Sequence, residues 1–294
     1  MHDPTDSPAV ASAQVASVGQ RLSPEIYADL KKLYAPLQLR PLQGVPGVVR
    51  NLAYGPHPRH RLNLFPPAGE TVEAKWALVF MHGGGFVTGD KEETPDVFYD
   101  NVGIWATAQG MIGITINYRL APEHGWPAGR EDVAAALAWV RSNVSQFHGD
   151  PQRIVLMGHS AGATHVASYV AHAGTSSGIA GCVCVSGMYD LNIAPVNAAY
   201  FGADASAYPE RSPLAGLART ATPLLITFAE QDPAVIQRHA LSLFAARLET
   251  VGVLPAIAQL RGHNHFSGIL HLNSPDLSLS QELKRFIGGL CPSP

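Results

Sequence analysis

Short apolar segments recur along most of this chain, and each ends at Gly, Pro or polar residues. They predict strands at 48–54, 61–65, 76–81, 111–116, 153–157, 179–185, 223–229 and 255–260. From 76 onward most of these segments are apolar throughout, which is typical of parallel strands covered on both faces. The segment at 61–65 instead alternates apolar and polar residues, as a half-buried strand does.

Helical periodicity fills the gaps between several of these strands. The clearest helix is predicted at 132–147, and another at 241–248. One face of the first carries its apolar residues, namely Val133, Leu137, Val140 and Val144. Because strands alternate with helices, the pattern predicts an α/β fold with a mostly parallel sheet and helices on both of its faces.

The N-terminal segment has its own signals. Residues 1–20 are rich in Ala, Ser and Pro, so we expect a mobile start. A short helix should follow, with Ser23 as its N-cap and Pro24 at its first position. Two interpretations stay open for Ile26, Leu30 and Tyr34 on this helix, which are packing onto the core and lining an acyl pocket.

Composition narrows the class of protein. Of 294 residues 46% are hydrophobic and 15% are charged, and the net charge is −3, which excludes a disordered chain. Without a basic block we expect no nucleic-acid partner. No apolar stretch is long enough to predict a membrane span, and the start lacks the pattern of a secretory signal. The three cysteines fit neither a disulfide framework nor a zinc ribbon, so we expect a cytoplasmic location.

A candidate nucleophile follows the strand predicted at 153–157. Residues 158–162 read Gly-His-Ser-Ala-Gly, and a helical pattern begins immediately afterwards. A sharp turn between strand and helix presents Ser160, and the helix N-terminus adds partial positive charge where an oxyanion would form. The alternative interpretation is an ordinary tight turn with a serine cap.

A run of three glycines at 83–85 follows the strand predicted at 76–81. Such a loop can direct two backbone N–H groups at one oxygen atom. A phosphate-binding loop does not fit, because no Lys-Ser/Thr continuation follows. We expect the neighbouring His82 to hold the loop by a hydrogen bond.

These two motifs lie 160 − 85 = 75 residues apart, and residues 117–124 add a third, Asn-Tyr-Arg-Leu-Ala-Pro-Glu-His. Together they resemble the α/β-hydrolase superfamily and, within it, the bacterial esterases similar to hormone-sensitive lipase. The resemblance implies an α/β-hydrolase fold with an eight-stranded, mostly parallel sheet. It also implies an N-terminal cap at 1–45 and a catalytic domain at 46–294. The family's turn often has Asp where this chain has His159, which we interpret as a packing residue.

The resemblance also implies a catalytic triad in the chain order Ser, acid, His. Asp232 follows the strand predicted at 223–229, with Glu230 as the alternative acid and helix capping as the alternative role. His265 follows the strand predicted at 255–260, with His263 as the alternative base. The oxyanion would be bound by the backbone N–H groups of three residues, namely Gly84, Gly85 and Ala161.

The function expected from these residues is that of a serine carboxylesterase acting on short-chain acyl or aryl esters through an acyl-enzyme. An arylformamidase or amide hydrolase with the same triad is the alternative. A non-catalytic small-molecule receptor is disfavoured because no triad member is missing. We expect a small-molecule ester as partner, no cofactor and no metal, since the His-x-His at 263–265 lacks a third ligand at metal-site spacing. A homodimer remains open.

Overall fold

The computed structural model describes residues 8–40, 42–67, 74–173, 177–193 and 196–291. Its described residues form an eight-stranded sheet in the order β1-β2-β4-β3-β5-β6-β7-β8. The strands are β1 Val49–Ala53, β2 Arg61–Phe65, β3 Lys75–Met81, β4 Ile112–Ile116, β5 Gly149–His159, β6 Gly181–Val185, β7 Leu224–Gln231 and β8 Ala256–Asn264. The pairs β1–β2 and β2–β4 are antiparallel, and the others are parallel. The predicted fold class is therefore confirmed.

Helices connect and cover these strands. They are α1 Pro8–Val18, α2 Pro24–Tyr34, α3 Asp100–Ala108, α4 Ala128–Asn143, α5 Ala161–His172, α6 Ala198–Phe201, α7 Tyr208–Arg211, α8 Leu214–Arg219, α9 Ala234–Val251, α10 Ser267–Leu270 and α11 Ser278–Gly288. The helix predicted at 132–147 is α4 followed by a 3₁₀ turn at Val144–Phe147. No helix in the described ranges is long and apolar enough to cross a membrane.

Two apolar cores lie on opposite faces of the sheet, because successive strand residues point to opposite sides. Val79 and Leu156 face the first core, which α4, α5, α8 and α9 cover. Leu78 and Val155 face the second core, which α1, α2, α3 and α11 cover. Burial on both faces explains why the central stretches of these strands, such as 77–81 and 154–157, are apolar throughout.

The prediction of a mobile start is wrong for residues 8–18, which form α1. Ala11 and Val15 lie one helical turn apart and are fully buried against the second core. Because only these two small side chains form the buried face of α1, the Ala- and Ser-rich sequence shows no clear amphipathic pattern there. Residues 1–7 lie outside the described ranges.

The helix predicted to follow is confirmed as α2. Ser23 Oγ accepts a hydrogen bond from the Ile26 N–H at 3.3 Å, and Pro24 occupies the first position. Leu30 and Tyr34 are buried in the second core. The remaining side of α2 faces the ends of the parallel strands, where the loops after β3, β5, β7 and β8 gather at one edge of the sheet.

We expect Leu156→Ala to destabilise the fold by about 2–5 kcal/mol, because Leu156 has no exposed surface and its loss leaves a cavity in the central strand. The matched control is Leu241→Ala on α9, where the leucine is 62% exposed and the change should stay within about 0.5 kcal/mol. Urea unfolding of both variants measures the difference. Equal losses of stability would contradict the assignment of the core.

Candidate active site

The turn between β5 and α5 is built around two glycines. Ser160 lies between them with φ 54° and ψ −120°, a strained conformation for a residue with a side chain. A Cβ atom at Gly158 would overlap the carbonyl of Gly162, and one at Gly162 would overlap the carbonyl of Met81 on the neighbouring strand. Only glycine fits at either position. The two glycines allow the sharp turn that places Ser160 at the edge of the sheet.

The structure brings Ser160, Asp232 and His265 into one hydrogen-bonded chain. His265 Nε2 lies 2.8 Å from Ser160 Oγ, and His265 Nδ1 lies 2.7 Å from Asp232 Oδ1. An ionised carboxylate only accepts, so the ring proton belongs on Nδ1. Nε2 is then free to accept the hydrogen bond of the serine O–H. This is the arrangement a general base needs in order to activate a hydroxyl group.

Asp232 is fully buried, and three donors satisfy it. Its Oδ2 accepts from the Ser186 hydroxyl and from the Ala229 N–H, both at 2.7 Å, in addition to the His265 bond at Oδ1. Burial by itself raises the pKa of Asp232, but the hydrogen bonds and the charge of His265 outweigh it, and the pKa lies below its ordinary value. Asp232 is therefore held as the carboxylate.

Ser186 was missed by the sequence reasoning. It follows β6 directly and has φ 53°, so its hydroxyl reaches the loop after β7. Its position in the sequence could have indicated this role. Ser186 is a polar residue at the carboxyl end of a buried parallel strand, and such ends lie at the same edge of the sheet as Ser160.

The two alternative residues lie elsewhere. Glu230 is exposed, and its Oε2 accepts from the N–H of Gly262 at 2.8 Å. His263 is buried, and its Nε2 lies 3.1 Å from Asp276 while its Nδ1 lies 3.1 Å from Ser267. Neither makes a described contact with Ser160.

His263, His271 and Asp276 are close enough to suggest a metal site, since their ligand atoms lie within 4.8 Å of one another. The two rings, however, are stacked with centroids 3.9 Å apart, so their lone pairs run side by side rather than toward a common point. His271 Nε2 accepts from Ser278 Oγ at 3.0 Å and from the Leu279 N–H at 3.3 Å. The cluster fits a hydrogen-bonded cap on the start of α11 better than a set of metal ligands.

The glycine loop leaves backbone donors open. Gly84 and Gly85 donate no backbone hydrogen bond to any residue the structure describes. Ala161 is the first residue of α5, where an N–H has no acceptor within the helix. Gly84 and Gly85 line the same cavity as Ser160, and Ala161 directly follows it. Their N–H groups are the candidates for binding a developing negative charge.

His82 supports this loop from below. Its Nδ1–H donates to the Gly83 carbonyl at 2.6 Å, and its ring stacks on Tyr118 with centroids 4.4 Å apart. Burial lowers the pKa of His82 to about 4, so the ring is neutral. Tyr118 belongs to the third sequence motif, and that motif is itself fixed where Asp132 accepts from the N–H and Nε of Arg119, each at 2.7 Å.

A cavity of about 580 Å³ opens above Ser160. Besides the glycine loop and Ser160, its lining is mostly apolar and aromatic, with residues Leu22, Pro24, Tyr27, Tyr99 and Phe266. One end is polar, where Lys31 and Glu93 form an ion pair at 2.8 Å. Helix α2 thus reaches the site through Tyr27 and Lys31, whereas Leu30 and Tyr34 pack in the core. Ile26 is partly buried and packs against the same core, and it is not among the residues that line the cavity. For Ile26, Leu30 and Tyr34 the structure therefore supports packing.

The chain is similar in sequence to known hydrolases. Residues 78–201 match a family model described as the alpha/beta hydrolase fold. Esterase LipC of Mycobacterium tuberculosis is 34% identical over 113 residues, which are 38% of this chain and 27% of that protein. Carboxylesterase NlhH of the same species is 41% identical over 85 residues, which are 29% of this chain and 25% of that protein. The chain therefore spans about a quarter of the length of these relatives.

The fold is also that of solved esterase structures. Esterase B from Lactobacillus rhamnosus superposes with a TM-score of 0.73 and 16% identity, covering 95% of both chains. At that level of identity the likeness concerns the fold alone.

The buried neutral histidines predict how stability depends on pH. Burial lowers the pKa of His165 to about 3, from an ordinary value of 6.5, and has the same effect on His271. Between these values the unfolded chain binds protons that the folded chain does not, so stability must fall as pH falls. Each such histidine contributes about 1.4 kcal/mol per pH unit.

We therefore expect His165→Phe to reduce the dependence of the unfolding free energy on pH below about pH 6.5. The slope should fall by about 1.4 kcal/mol per pH unit, which corresponds to one proton. Phe keeps the ring contacts that His165 makes with Phe86, Tyr118 and Tyr200. Urea unfolding between about pH 7 and about pH 5 measures the slope, whatever the variant's absolute stability. An unchanged slope would show that His165 is not held neutral.

Proposed function

We propose that this chain is a member of the α/β-hydrolase superfamily and that it hydrolyses carboxylic esters with Ser160 as the nucleophile. The observation that carries the proposal is the continuous hydrogen-bonded chain from Ser160 through His265 to the buried Asp232, at the floor of a cavity. Each member has one role in such a chain, and the same constellation recurs in serine hydrolases of unrelated folds.

In the first half of the reaction Ser160 Oγ attacks the ester carbonyl carbon while its proton moves to His265 Nε2. Asp232 stabilises the imidazolium that forms. The carbonyl π electrons become the oxyanion, which the N–H groups of Gly84, Gly85 and Ala161 bind. The intermediate then collapses, the C–O bond to the alcohol breaks, and His265 returns the proton to the leaving oxygen.

The second half repeats these steps with water. His265 takes a proton from water, the resulting hydroxide attacks the acyl-enzyme, and the carboxylic acid leaves as Ser160 regains its proton. Removal of one N–H donor from such an oxyanion site typically raises the barrier by roughly 3–4 kcal/mol. The glycine loop and the turn at Ser160 therefore contribute to the rate in addition to the triad.

The N-terminal region acts as a cap in this proposal. Tyr27 of α2 packs on Phe266 with ring centroids 4.8 Å apart, and its hydroxyl donates to Tyr99 at 2.8 Å. Both contacts lie at the wall of the cavity. A mostly apolar cavity of about 580 Å³ suits esters with short acyl or aryl groups. Residues 1–45 would then select the substrate while residues 46–294 carry the chemistry.

Ser160→Ala should keep the fold and lose turnover of short p-nitrophenyl esters by at least about 1000-fold, because no other residue can form the acyl-enzyme. His265→Ala should lose activity to a similar degree, and its matched control is His263→Ala two residues away, which should retain most of its turnover per folded molecule. Undiminished turnover in Ser160→Ala, or loss of turnover only in the control, would overturn the proposed triad.

Tyr27→Ala should widen the cavity and raise the kcat/KM ratio of a longer to a shorter acyl ester by about tenfold. Lys32→Ala is the matched control on the same helix, because Lys32 is exposed and outside the cavity. A ratio that does not move in Tyr27→Ala would contradict the role of α2 as part of a cap.

A further inference from the structure

His159 connects three parts of the site that are distant in sequence. It precedes Ser160, and its Nε2 lies 2.8 Å from the backbone carbonyl oxygen of His265. On its other side, a Cβ atom built on Gly83 would lie 3.1 Å from its Nδ1 and 3.2 Å from Ser160 Cβ. The ring therefore fills the space between the glycine loop and the loop that carries His265.

The protonation of His159 follows from these contacts. A carbonyl oxygen only accepts, so Nε2 must carry the hydrogen and donate it. Nδ1 is buried and has no hydrogen-bond partner among the described residues. Burial, followed by the charge of His265, lowers the pKa of His159 to about 3, so the ring is neutral throughout the working range of an esterase.

We propose that His159 is a positioning residue for the base of this site, holding the backbone of His265 through its Nε2–H while adding no charge beside the imidazole. The inference depends on the proposed function, since it needs His265 to act as the base. Without this donor the buried carbonyl of His265 loses its partner, and the loop must shift to regain one. A shift of that kind moves Nε2 of the base away from Ser160 Oγ.

The neutral state of His159 also affects the base, because the two rings are neighbours. The ring centroids of His159 and His265 are 5.1 Å apart. The other titratable groups whose charges affect the pKa of His159 are Asp232 and His82. The turn of the resembling esterases often has Asp at this position. An aspartate here would remove the donor to His265 and place a negative charge beside the imidazole, where it favours the protonated ring.

Three substitutions separate these effects. His159→Leu removes the donor without adding charge, His159→Gln replaces it with an amide N–H near the position of Nε2, and His159→Asp exchanges the donor for a negative charge. His172→Gln, on α5 and outside the site, is the matched control. Circular dichroism and thermal unfolding establish that each variant is folded.

Two readouts are measured against pH for every variant. The first is kcat and KM for a p-nitrophenyl ester. The second is the rate at which a fluorophosphonate labels Ser160, followed by mass spectrometry, which reports on the Ser160–His265 pair without depending on an ester substrate. If His159 only filled space, His159→Leu and His159→Gln would give similar rates, so the difference between these two variants reports on the hydrogen bond to His265.

We expect His159→Leu to lower kcat by roughly 10- to 100-fold with KM nearly unchanged, because the base is displaced rather than the substrate. His159→Gln should recover most of that loss. In His159→Asp the acid limb of both profiles should move to higher pH by about one unit, since the added charge favours the protonated base, which cannot accept a proton. His172→Gln should match the unchanged protein.

The inference is overturned if labelling of Ser160 has the same rate and pH profile in His159→Leu and His159→Asp as in the unchanged protein. It is also overturned if His159→Gln is as impaired as His159→Leu. If the unchanged protein is labelled at Ser160 but hydrolyses no ester, the proposed function fails instead, and the labelling profiles still decide the role of His159.

Discussion

The close approach of the turn at Ser160 to the neighbouring strand is the constraint on which the rest of this molecule depends. Gly158 and Gly162 face each other across the turn, and Gly162 also lies against the carbonyls of Met81 and His82. As a result Ser160 adopts a strained backbone conformation with positive φ, at a cost on the order of 1–3 kcal/mol. Strands β3 and β5, paired side by side and buried on both faces, hold the two segments together.

A second constraint is electrostatic. The site sits over a buried region in which His82 and His159 are kept neutral, while Asp232 is kept ionised. The difference lies in their partners, since Asp232 receives three hydrogen bonds and each of these rings leaves one nitrogen without a described partner. One buried carboxylate with a full set of donors can stabilise a transient imidazolium, and it does so without a competing charge on the turn.

Local pattern was sufficient to predict the strands, α2 and the turn at Ser160. The choice of Asp232 and His265 over Glu230 and His263 came instead from the resemblance to the hydrolase family. Local pattern was not sufficient where the decisive contact is distant in sequence. Ser186 becomes part of the site only because β6 lies beside β7, and Tyr27 reaches the cavity only because α2 packs over α10. Helix α1 was missed because two small residues, Ala11 and Val15, suffice to bury it against β8.

These constraints meet at the residue before the nucleophile. The glycine loop lies against both His159 and Ser160, and His159 is bonded to the backbone of His265. These contacts therefore link the proposed oxyanion donors, nucleophile and base to one another. Catalytic groups held in this way need little reorganisation when charge develops, which is where preorganised sites gain most of their rate. Where the turn of the resembling esterases often has a charged Asp, this chain has the neutral His159. Its ring connects the glycine loop to the loop that carries His265.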